Sequence, residues 1–314
     1  MRIQSLSPCR ISLFGGGTDL DEYSSRFGGL VISLAINLRH RLTLLTEENI
    51  FEMTSNSVPY KGSLDFMHTF FSALNMGSFH HVRFISDSDA LLESGLATSA
   101  AAAVSVVGAI NKANNLGMSK GEIAEKAWQI EVNKVGLYGG RQDHYASTFG
   151  GFNAIIFTNS KVEVEPLQKG MIDKLYPSMV LVHTGFTRED PKIQEGFKEL
   201  TPEQIEALHE IKNIAKKALK PLAEGNIEVI GALLHEAWEL KKESNKGITN
   251  SKIDSIYNKA KKLGAYGGKI LGAGAGGYMV FIVPPGSKER FISTLGLEHW
   301  DFSVDWNGLE TRVL

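Results

Sequence analysis

The sequence has very little cysteine and no long apolar run. Cys9 is the single cysteine among 314 residues, so neither an internal disulfide nor a cysteine metal site can form. The N-terminal residues lack the apolar stretch of a signal peptide, and no segment approaches the length that spans a bilayer. These absences predict a cytoplasmic protein with no place in a membrane.

An excess of charge of one sign is also missing. The formal net charge is −2, and no basic block is longer than a few residues. Proteins that bind nucleic acids or anionic membranes through charge carry basic patches, so we expect no nucleic-acid partner. The hydrophobic share of 43% and the charged share of 22% are those of an ordinary globular chain with a sizeable core.

Glycine is the residue present in excess. The 32 glycines gather in clusters rather than spreading evenly. Because glycine permits positive φ and close approach of the backbone to a ligand, such clusters predict a site built largely from main chain. The clusters lie at residues 15–17, 139–140, 150–151 and 264–277.

Hydrophobic periodicity predicts an α+β fold in two unequal parts. Strands are expected at 30–36 and 41–46, as neighbours, and at 151–157, 178–183 and 278–283. Helices are expected at 98–114, 119–134, 202–222, 226–243 and 250–263. Capping patterns at Ser119 and Thr201 support two of these helices. A polar stretch predicts a boundary that gives domains 1–170 and 171–314.

The first glycine motif, residues 7–20, reads SPCRISLFGGGTDL. It predicts a strand that runs into a glycine turn and presents Thr18 and Asp19. A carboxylate there can accept hydrogen bonds from sugar hydroxyls, and Arg10 can hold a negative oxygen. A hairpin turn with Asp19 bonded to its own backbone explains this segment equally well.

The second motif, residues 94–101, reads SGLATSAA and opens a predicted helix. Free N–H groups and the positive end of the helix dipole form a natural phosphate site. Ser99 could add a hydroxyl ligand to magnesium. The alternative is an ordinary serine or threonine helix cap with no ligand.

The third motif, residues 267–277, contains a G-x-G-x-x-G pattern at Gly272, Gly274 and Gly277. A dinucleotide site requires this pattern to open a helix. The residues that follow, YMVFIVPP, predict a strand instead, so we reject the dinucleotide interpretation. The lysine followed by serine or threonine that a P-loop needs is absent as well.

Two acidic residues lie between the second and third motifs. Glu131 is expected at the end of a helix, and Asp143 follows the glycine turn at 139–140. Carboxylates so placed suit a metal ligand and a general base. An unrelated pair of surface acids is the alternative.

The order and spacing of these four elements resemble the GHMP kinase superfamily, named for galactose, homoserine, mevalonate and phosphomevalonate kinases. The segments that carry the resemblance are SPCRISLFGGGTDL, GLATSA and KILGAGAGGYMVF. The segments FGGGTDL, GGRQDHYASTFGG and TGFTR are most similar to the branch of heptose 7-phosphate kinases and fucokinases. The resemblance implies an N-terminal α+β domain with a left-handed βαβ crossover and a C-terminal ferredoxin-like domain.

The resemblance also implies an ATP-dependent kinase that uses Mg²⁺ and acts on a small sugar or sugar phosphate. Ser99 and Glu131 would hold the magnesium ion, and Asp143 would orient and deprotonate the sugar hydroxyl with Arg10 close by. The ATP phosphates would lie over Ser94, Gly95, Leu96, Ala97, Thr98, Ser99 and Ala100. The sugar would bind at Gly16, Gly17, Thr18, Asp19, Gly274 and Ala275.

The second motif departs from the family pattern at two positions. Ala97 stands where the family has glycine, and Thr98 stands where it has a serine. Alanine at a position of positive φ costs about 1 kcal/mol or more, so an adjusted phosphate loop is expected there. The set formed by Ser99, Glu131 and Asp143 is complete.

The choice of substrate depends on whether the sugar already carries a phosphate, which needs a cationic partner. Arg188 is the favoured phosphate clamp because it follows a predicted strand and a small turn. The other candidates, each equally explained as a solvated surface residue, are Lys192, Arg141, Lys134 and Lys269.

The first interpretation is a kinase that converts D-glycero-D-manno-heptose 7-phosphate to the 1,7-bisphosphate. A kinase of a free sugar such as fucose is the second. A catalytically silent sensor that binds a nucleotide or a sugar is the third, and the complete set of site residues argues against it. A homodimer stays open.

Overall fold

The computed structural model describes residues 1–46, 53–55, 58–59, 83–90, 94–159, 161–186, 196–244 and 247–314. These residues form an eight-stranded and a four-stranded sheet with helices packed on both. The strands of the first sheet are β1 (Arg2–Phe14), β2 (Gly29–Leu45), β3 (Met53–Ser55), β4 (Val58–Pro59), β5 (Arg83–Ser88), β6 (Phe152–Phe157), β7 (Val162–Pro166) and β12 (Glu310–Val313). Those of the second are β8 (Met179–His183), β9 (Gly267–Ile270), β10 (Tyr278–Ile282) and β11 (His299–Trp300).

Five of the nine helices in the described residues lie close to predicted positions, and the four that were not predicted are short. The nine are α1 (Asp21–Phe27), α2 (Thr98–Asn114), α3 (Lys120–Ile130), α4 (Gln142–Phe149), α5 (Lys169–Leu175), α6 (Pro202–Glu224), α7 (Ile227–Ser244), α8 (Ser251–Lys262) and α9 (Lys288–Leu295). The capping box predicted at Ser119 with Glu122 is confirmed. The cap predicted at Thr201 is confirmed as well, and Gln204 completes a capping box there. Within the described ranges, no helix has the length and apolar character needed to cross a bilayer.

The long strand β2 forms the centre of the first sheet. Residues 29–34 of β2 pair with β6, residues 40–45 pair with β5, and β1 runs antiparallel along most of its length. The prediction of two neighbouring strands at 30–36 and 41–46 is therefore wrong, because one continuous strand spans both. The polar residues between them stay extended because β1 pairs across this stretch, with a bulge at Pro8 and Cys9.

His40 on β2 connects this strand to the helix α2 and to the strand β5. Its ring lies 2.7 Å from Ser105 Oγ on α2 and 2.7 Å from Ser86 Oγ on β5. The side chain is buried, and burial lowers the pKa of His40 to about 4. The histidine is therefore held neutral between two hydroxyl groups at ordinary pH.

The second sheet has the ferredoxin-like arrangement that the sequence predicts. Its order is β11-β8-β10-β9, and every pair is antiparallel. Numbered along the chain, this is the order 4-1-3-2, with helices between the first and second strands and between the third and fourth. Residues of the two sheets belong to one hydrophobic cluster that includes Ile11, Leu13, Ile214, Leu181 and Val280.

Two features of the predicted fold stay predictions. β3 and β5 are parallel, as a βαβ unit requires, but residues 60–82 between them lie outside the described ranges, so the hand of this crossover is not tested. The boundary near residue 170 is also untested. Near the other end of the chain, β12 returns from the second part to pair with β1 in the first sheet.

Candidate active site

A cavity of about 500 Å³ lies where the three glycine motifs meet α7. The first two motifs come from the N-terminal part of the chain, and the third motif comes from the turn between β9 and β10. Predicted site residues that line the cavity are Arg10, Gly16, Gly17, Asp19, Gly95, Ala97, Thr98, Ser99, Ala100, Glu131, Asp143 and Gly274. The structure thus brings together residues that the sequence spreads over more than 260 positions.

Glycine at the second and third motifs allows two backbones to pack directly on each other. A Cβ at Gly277 would lie 2.3 Å from Ser94 O, and a Cβ at Gly95, where φ is +81°, would lie 2.5 Å from Leu271 O. Tyr278 N donates to Ser94 O at 2.9 Å across the same junction. The glycines therefore join the two parts of the chain at the floor of the cavity.

The pair formed by Arg10 and Asp143 joins β1 to α4. Arg10 Nε donates to Asp143 Oδ1 at 2.8 Å, Nη2 lies 2.6 Å from the same oxygen, and Nη1 donates to Gly95 O at 2.7 Å. The Arg10 side chain is 3% exposed, whereas the Asp143 side chain is 29% exposed. Arg10 thus holds one carboxylate oxygen in place while the carboxyl group stays accessible from the cavity.

Asp19 is a buried carboxylate at the end of the first motif. It accepts hydrogen bonds from Gly17 N at 3.0 Å, from Gln142 N at 3.1 Å and from Gln142 Nε2 at 2.8 Å. Burial raises the pKa of Asp19, and the nearby charge of Asp143 raises it further. A Cβ at Gly140 would lie 1.9 Å from Asp19 Oδ2, so glycine is needed at that position.

Thr18, predicted beside Asp19 as a sugar ligand, does not reach the cavity. Its hydroxyl donates toward Gly15 O at 2.8 Å and Leu30 O at 3.1 Å, and it accepts from Leu30 N. The side chain is fully buried. Thr18 therefore fixes the glycine turn against β2 rather than facing a ligand.

The helix α2 begins without a side-chain cap, which leaves its first N–H groups available. Its N-cap is Ala97, with φ +66° and ψ +36°, so the left-handed conformation expected at this position is confirmed. Ala97, Thr98, Ser99 and Ala100 line the cavity. An uncapped helix start that opens into a cavity suits a phosphate group.

Two residues of the second motif lie beneath this loop instead of facing the cavity. Ser94 and Leu96 are fully buried. The carbonyl of Ser94 accepts from Tyr278 N, and the carbonyl of Leu96 accepts from Arg10 N at 2.9 Å. Their part in the site is to hold the loop against β1 and β10.

Glu131 and Ser99 meet at the start of α2. Glu131 lies in a π-helical turn (Glu131–Val135) that continues α3, and it is almost fully buried. Ser99 Oγ donates to one of its carboxylate oxygens, and His144 Nε2 contacts the other. A hydroxyl and a carboxylate are the oxygen donors that Mg²⁺ prefers, and Mg²⁺ commonly takes only one or two of them from the protein when phosphates supply the rest.

The remaining predicted residues fall in different places. Gly274 lines the cavity, whereas Ala275, with φ +62°, donates its N–H to Ile248 O at 2.7 Å. Arg188 and Lys192, two of the predicted phosphate partners, lie outside the described residues. The role predicted for Arg188 stays a prediction.

The cavity also contains polar side chains that the sequence motifs did not assign, among them Gln142, His144 and Lys241. Lys269, weighed only as a phosphate partner, donates to Ser12 O at 2.9 Å and to Leu13 O at 3.3 Å, and burial lowers its pKa well below the usual value. Lys241 Nζ donates to Gly272 O at 2.8 Å, and burial together with the charge of Arg10 lowers its pKa to about 8. Gln142 and His144 flank Asp143 in the sequence, so their position beside a predicted catalytic residue could have indicated that they belong to the site.

Comparison with known proteins agrees with this geometry. The GHMP kinases N terminal domain family matches residues 64–151, and the GHMP kinases C terminal family matches residues 215–301. D-glycero-alpha-D-manno-heptose 7-phosphate kinase of Campylobacter jejuni is 34% identical over 98% of this chain and 98% of its own length. The crystal structure of a D-glycero-D-manno-heptose 1-phosphate kinase from Bacteroides thetaiotaomicron is 27% identical, with a TM-score of 0.82 over 99% of both chains.

A more distant structure supports the fold alone. Lactococcus lactis galactokinase, solved with galactose, is 19% identical, with a TM-score of 0.75 over 100% of this chain and 95% of that one. The family matches and the full-length relative together show that the chain belongs to the GHMP kinase family. It is an ATP-dependent sugar kinase whose relatives point to a phosphorylated sugar.

Proposed function

We propose that the chain transfers the terminal phosphoryl group of ATP to the anomeric hydroxyl of a heptose that already carries one phosphate. D-glycero-D-manno-heptose 7-phosphate is the first candidate because the Campylobacter jejuni relative is named for it. The Bacteroides relative is named for a heptose 1-phosphate, so the two names share a singly phosphorylated heptose. Of the two compounds, only the 7-phosphate has a free anomeric hydroxyl that can accept the phosphoryl group. The observation that supports the proposal is one cavity that holds the Arg10–Asp143 pair, the open start of α2 and the Ser99–Glu131 pair.

The nucleotide side of the cavity is built by α2 and α3. The free N–H groups and the dipole at the start of α2 attract phosphate groups. Ser99 and Glu131 would hold Mg²⁺ through their oxygen atoms, and the ion would supply positive charge against the phosphates. His144 holds the second oxygen of Glu131 and thereby orients that carboxylate.

The acceptor side is built by the first motif and α4. Asp143 accepts the proton of the sugar hydroxyl, and Arg10 keeps its carboxylate in one orientation through two contacts to Oδ1. The Arg10 contact to Gly95 O links this carboxylate to the phosphate loop. Asp19 retains lone pairs for sugar hydroxyls beyond the three N–H donors that it already accepts. Catalysis then rests on positioning and charge neutralisation, with no covalent enzyme intermediate.

ADP release with magnesium-ATP tests the proposal over heptose 7-phosphate, heptose 1-phosphate, free heptose, fucose, galactose and mevalonate. We expect turnover on heptose 7-phosphate and none on heptose 1-phosphate, whose anomeric oxygen is already phosphorylated, and a loss of about 10²- to 10⁴-fold in kcat for Asp143→Asn. Asp173→Asn is the matched control, since Asp173 forms an exposed pair with Lys169 away from the cavity. Turnover restricted to a free sugar would reject the phosphorylated acceptor, and ATP binding without turnover on any acceptor would favour the sensor.

Three coarser features accompany the proposal. We propose a cytoplasmic location, where ATP is available. We also propose domains 1–170 and 171–314, since the second sheet lies wholly in the second part and the first sheet, apart from β12, lies in the first part. A homodimer stays a prediction, and light scattering after size-exclusion chromatography tests it.

A further inference from the structure

A phosphorylated acceptor brings a second group of negative charge into the cavity, beyond the phosphates of ATP. Among the described residues, the cations that line the cavity are Arg10, Lys241 and Lys269. Arg10 is engaged by Asp143 and by Gly95 O. Lys269 donates to two backbone carbonyls of β1. These two side chains are already committed to holding the site together.

Lys241 differs from the other two cations in what it contacts. Its hydrogen bond to Gly272 O uses one of the three donors that an ammonium group has. Within the described residues, no carboxylate lies within ion-pair distance of its Nζ. Asp143 is paired with Arg10, and Asp19 accepts from Gly17 and Gln142.

Two other cations considered from the sequence, both within the described residues, do not occupy this position. Arg141 contacts Asp21 and Glu125 and stacks on the ring of Trp128, with its guanidinium carbon 3.6 Å from the ring centroid. Lys134 is exposed on the π-helical turn and does not line the cavity.

Lys241 reaches the cavity from the C-terminal part of the chain. It projects from α7, one turn before Ser244, and is anchored to the third motif through Gly272. The start of α2, Ser99 and Glu131 belong to the N-terminal part of the chain. Burial makes an ammonium group unfavourable, and an incoming anion offsets that penalty by supplying the missing partner.

We propose that Lys241 binds the phosphate that the acceptor sugar already carries and so makes the enzyme prefer a sugar phosphate to the free sugar. This inference rests on the proposed function, because it names the residue that recognises that substrate. The phosphate contributes a charge-assisted hydrogen bond, which is short and stronger than a neutral one. The preference follows because a free sugar leaves the half-buried Lys241 ammonium in the cavity without an anion.

The experiment compares Lys241→Met with Lys241→Arg and with the neighbouring control Lys242→Met. Lys242 pairs with Glu239 at 2.9 Å, lies over the ring of Trp238 and does not line the cavity. For each protein, kcat and KM are measured with the heptose phosphate, with free heptose and with ATP, and calorimetry measures binding of the heptose phosphate without ATP. Circular dichroism and urea unfolding check that each variant is folded.

For Lys241→Met we expect the KM and Kd for the heptose phosphate to rise by about 10- to 100-fold. The KM for ATP and kcat/KM for free heptose should change by less than about threefold. Lys241→Arg should retain part of the preference, and Lys242→Met should behave like the wild-type enzyme. An unchanged KM for the heptose phosphate would overturn the inference.

Two other outcomes would also overturn it. An equal fall in kcat with both acceptors would place the ammonium on the transferred phosphoryl group, and a raised KM for ATP alone would place it on the nucleotide. Failure of the proposed function is distinguishable, because it shows in the wild-type enzyme as absent turnover on every sugar phosphate. If calorimetry detected no binding of the heptose phosphate to the wild-type protein, both the proposed function and the inference about Lys241 would be rejected.

Discussion

Replacement of Ala97 by glycine should stabilise the protein, although the residue lies in the candidate phosphate loop. Ala97 holds φ +66° and ψ +36° at the N-cap of α2. A left-handed conformation costs an L-residue roughly 1–2 kcal/mol, because Cβ crowds the following carbonyl. Glycine removes that cost but adds about 0.4–1 kcal/mol of unfolded-state entropy. The net gain in the free energy of unfolding is therefore about 0.5–1 kcal/mol.

A matched substitution in the same helix should act in the opposite direction. Ala102 lies inside α2 and has ordinary helical geometry. Ala102→Gly should lower the free energy of unfolding by about 1 kcal/mol, since glycine is a poorer helix former than alanine. The two variants lose the same methyl group, so the difference in sign isolates the backbone conformation.

Urea unfolding followed by circular dichroism measures both variants. The dependence on urea should keep its slope, so that midpoints report stability alone. Ala275→Gly offers a second test, because Ala275 has φ +62° in the third motif. If Ala97→Gly destabilised the protein as much as Ala102→Gly, the strain argument would be refuted.

Three further predictions concern other parts of the site and fold. Because the pKa of His40 is about 4 when folded and near 6.5 when unfolded, the unfolded state binds more protons between these values; stability should fall by up to about 3 kcal/mol as pH drops from 6.5 to 4, and His40→Gln should flatten this dependence in urea titrations. Glu131→Gln keeps the shape of the side chain but removes its charge, so the magnesium concentration that gives half-maximal rate should rise by about 10-fold or more; an unchanged magnesium dependence would exclude the residue as a ligand. Gly140→Ala places a Cβ 1.9 Å from the Asp19 carboxylate and should reduce kcat/KM for the sugar more than 10-fold, whereas Gly139→Ala, with nothing within 4 Å of its Cβ, should leave it within about twofold.

The sequence predicted those helices and strands that are determined by residues close to one another in the chain. The bounds of α2 at 98–114 follow from an unbroken run of small and apolar residues, and the capping boxes at Ser119 and Thr201 are set within four residues. The sequence correctly predicted a strand, and not a helix, after the third glycine motif, because YMVFI has strand character. β2 was divided in two because its polar middle stays extended by pairing with β1, as Arg39 does with Pro8, and a local pattern does not show this partner.

Only the part of the candidate site that lies within the family motifs could be predicted from the sequence. The meeting of Ser99 with Glu131 and of Arg10 with Asp143 was expected from the order of the motifs in a known family, since no local periodicity relates these positions. Lys241 and Lys242 look alike in the sequence, and the packing of α7 alone decides which one faces the cavity. Thr18 was predicted to face a ligand, but the backbone of Leu30 occupies its hydroxyl.

The pairing of β12 with β1 has a consequence for how the protein is made. Ile3 pairs with Val313, and Leu6 pairs with Glu310, so one edge of the first sheet is closed by residues synthesised after the whole second sheet. Contacts this distant in sequence form late and slow the search for the native state. A truncated or nascent chain without β12 would expose the edge of β1, which is a template for pairing with another chain. Nascent chains of this protein should therefore be most prone to aggregate, and most dependent on chaperones, before the residues of β12 emerge.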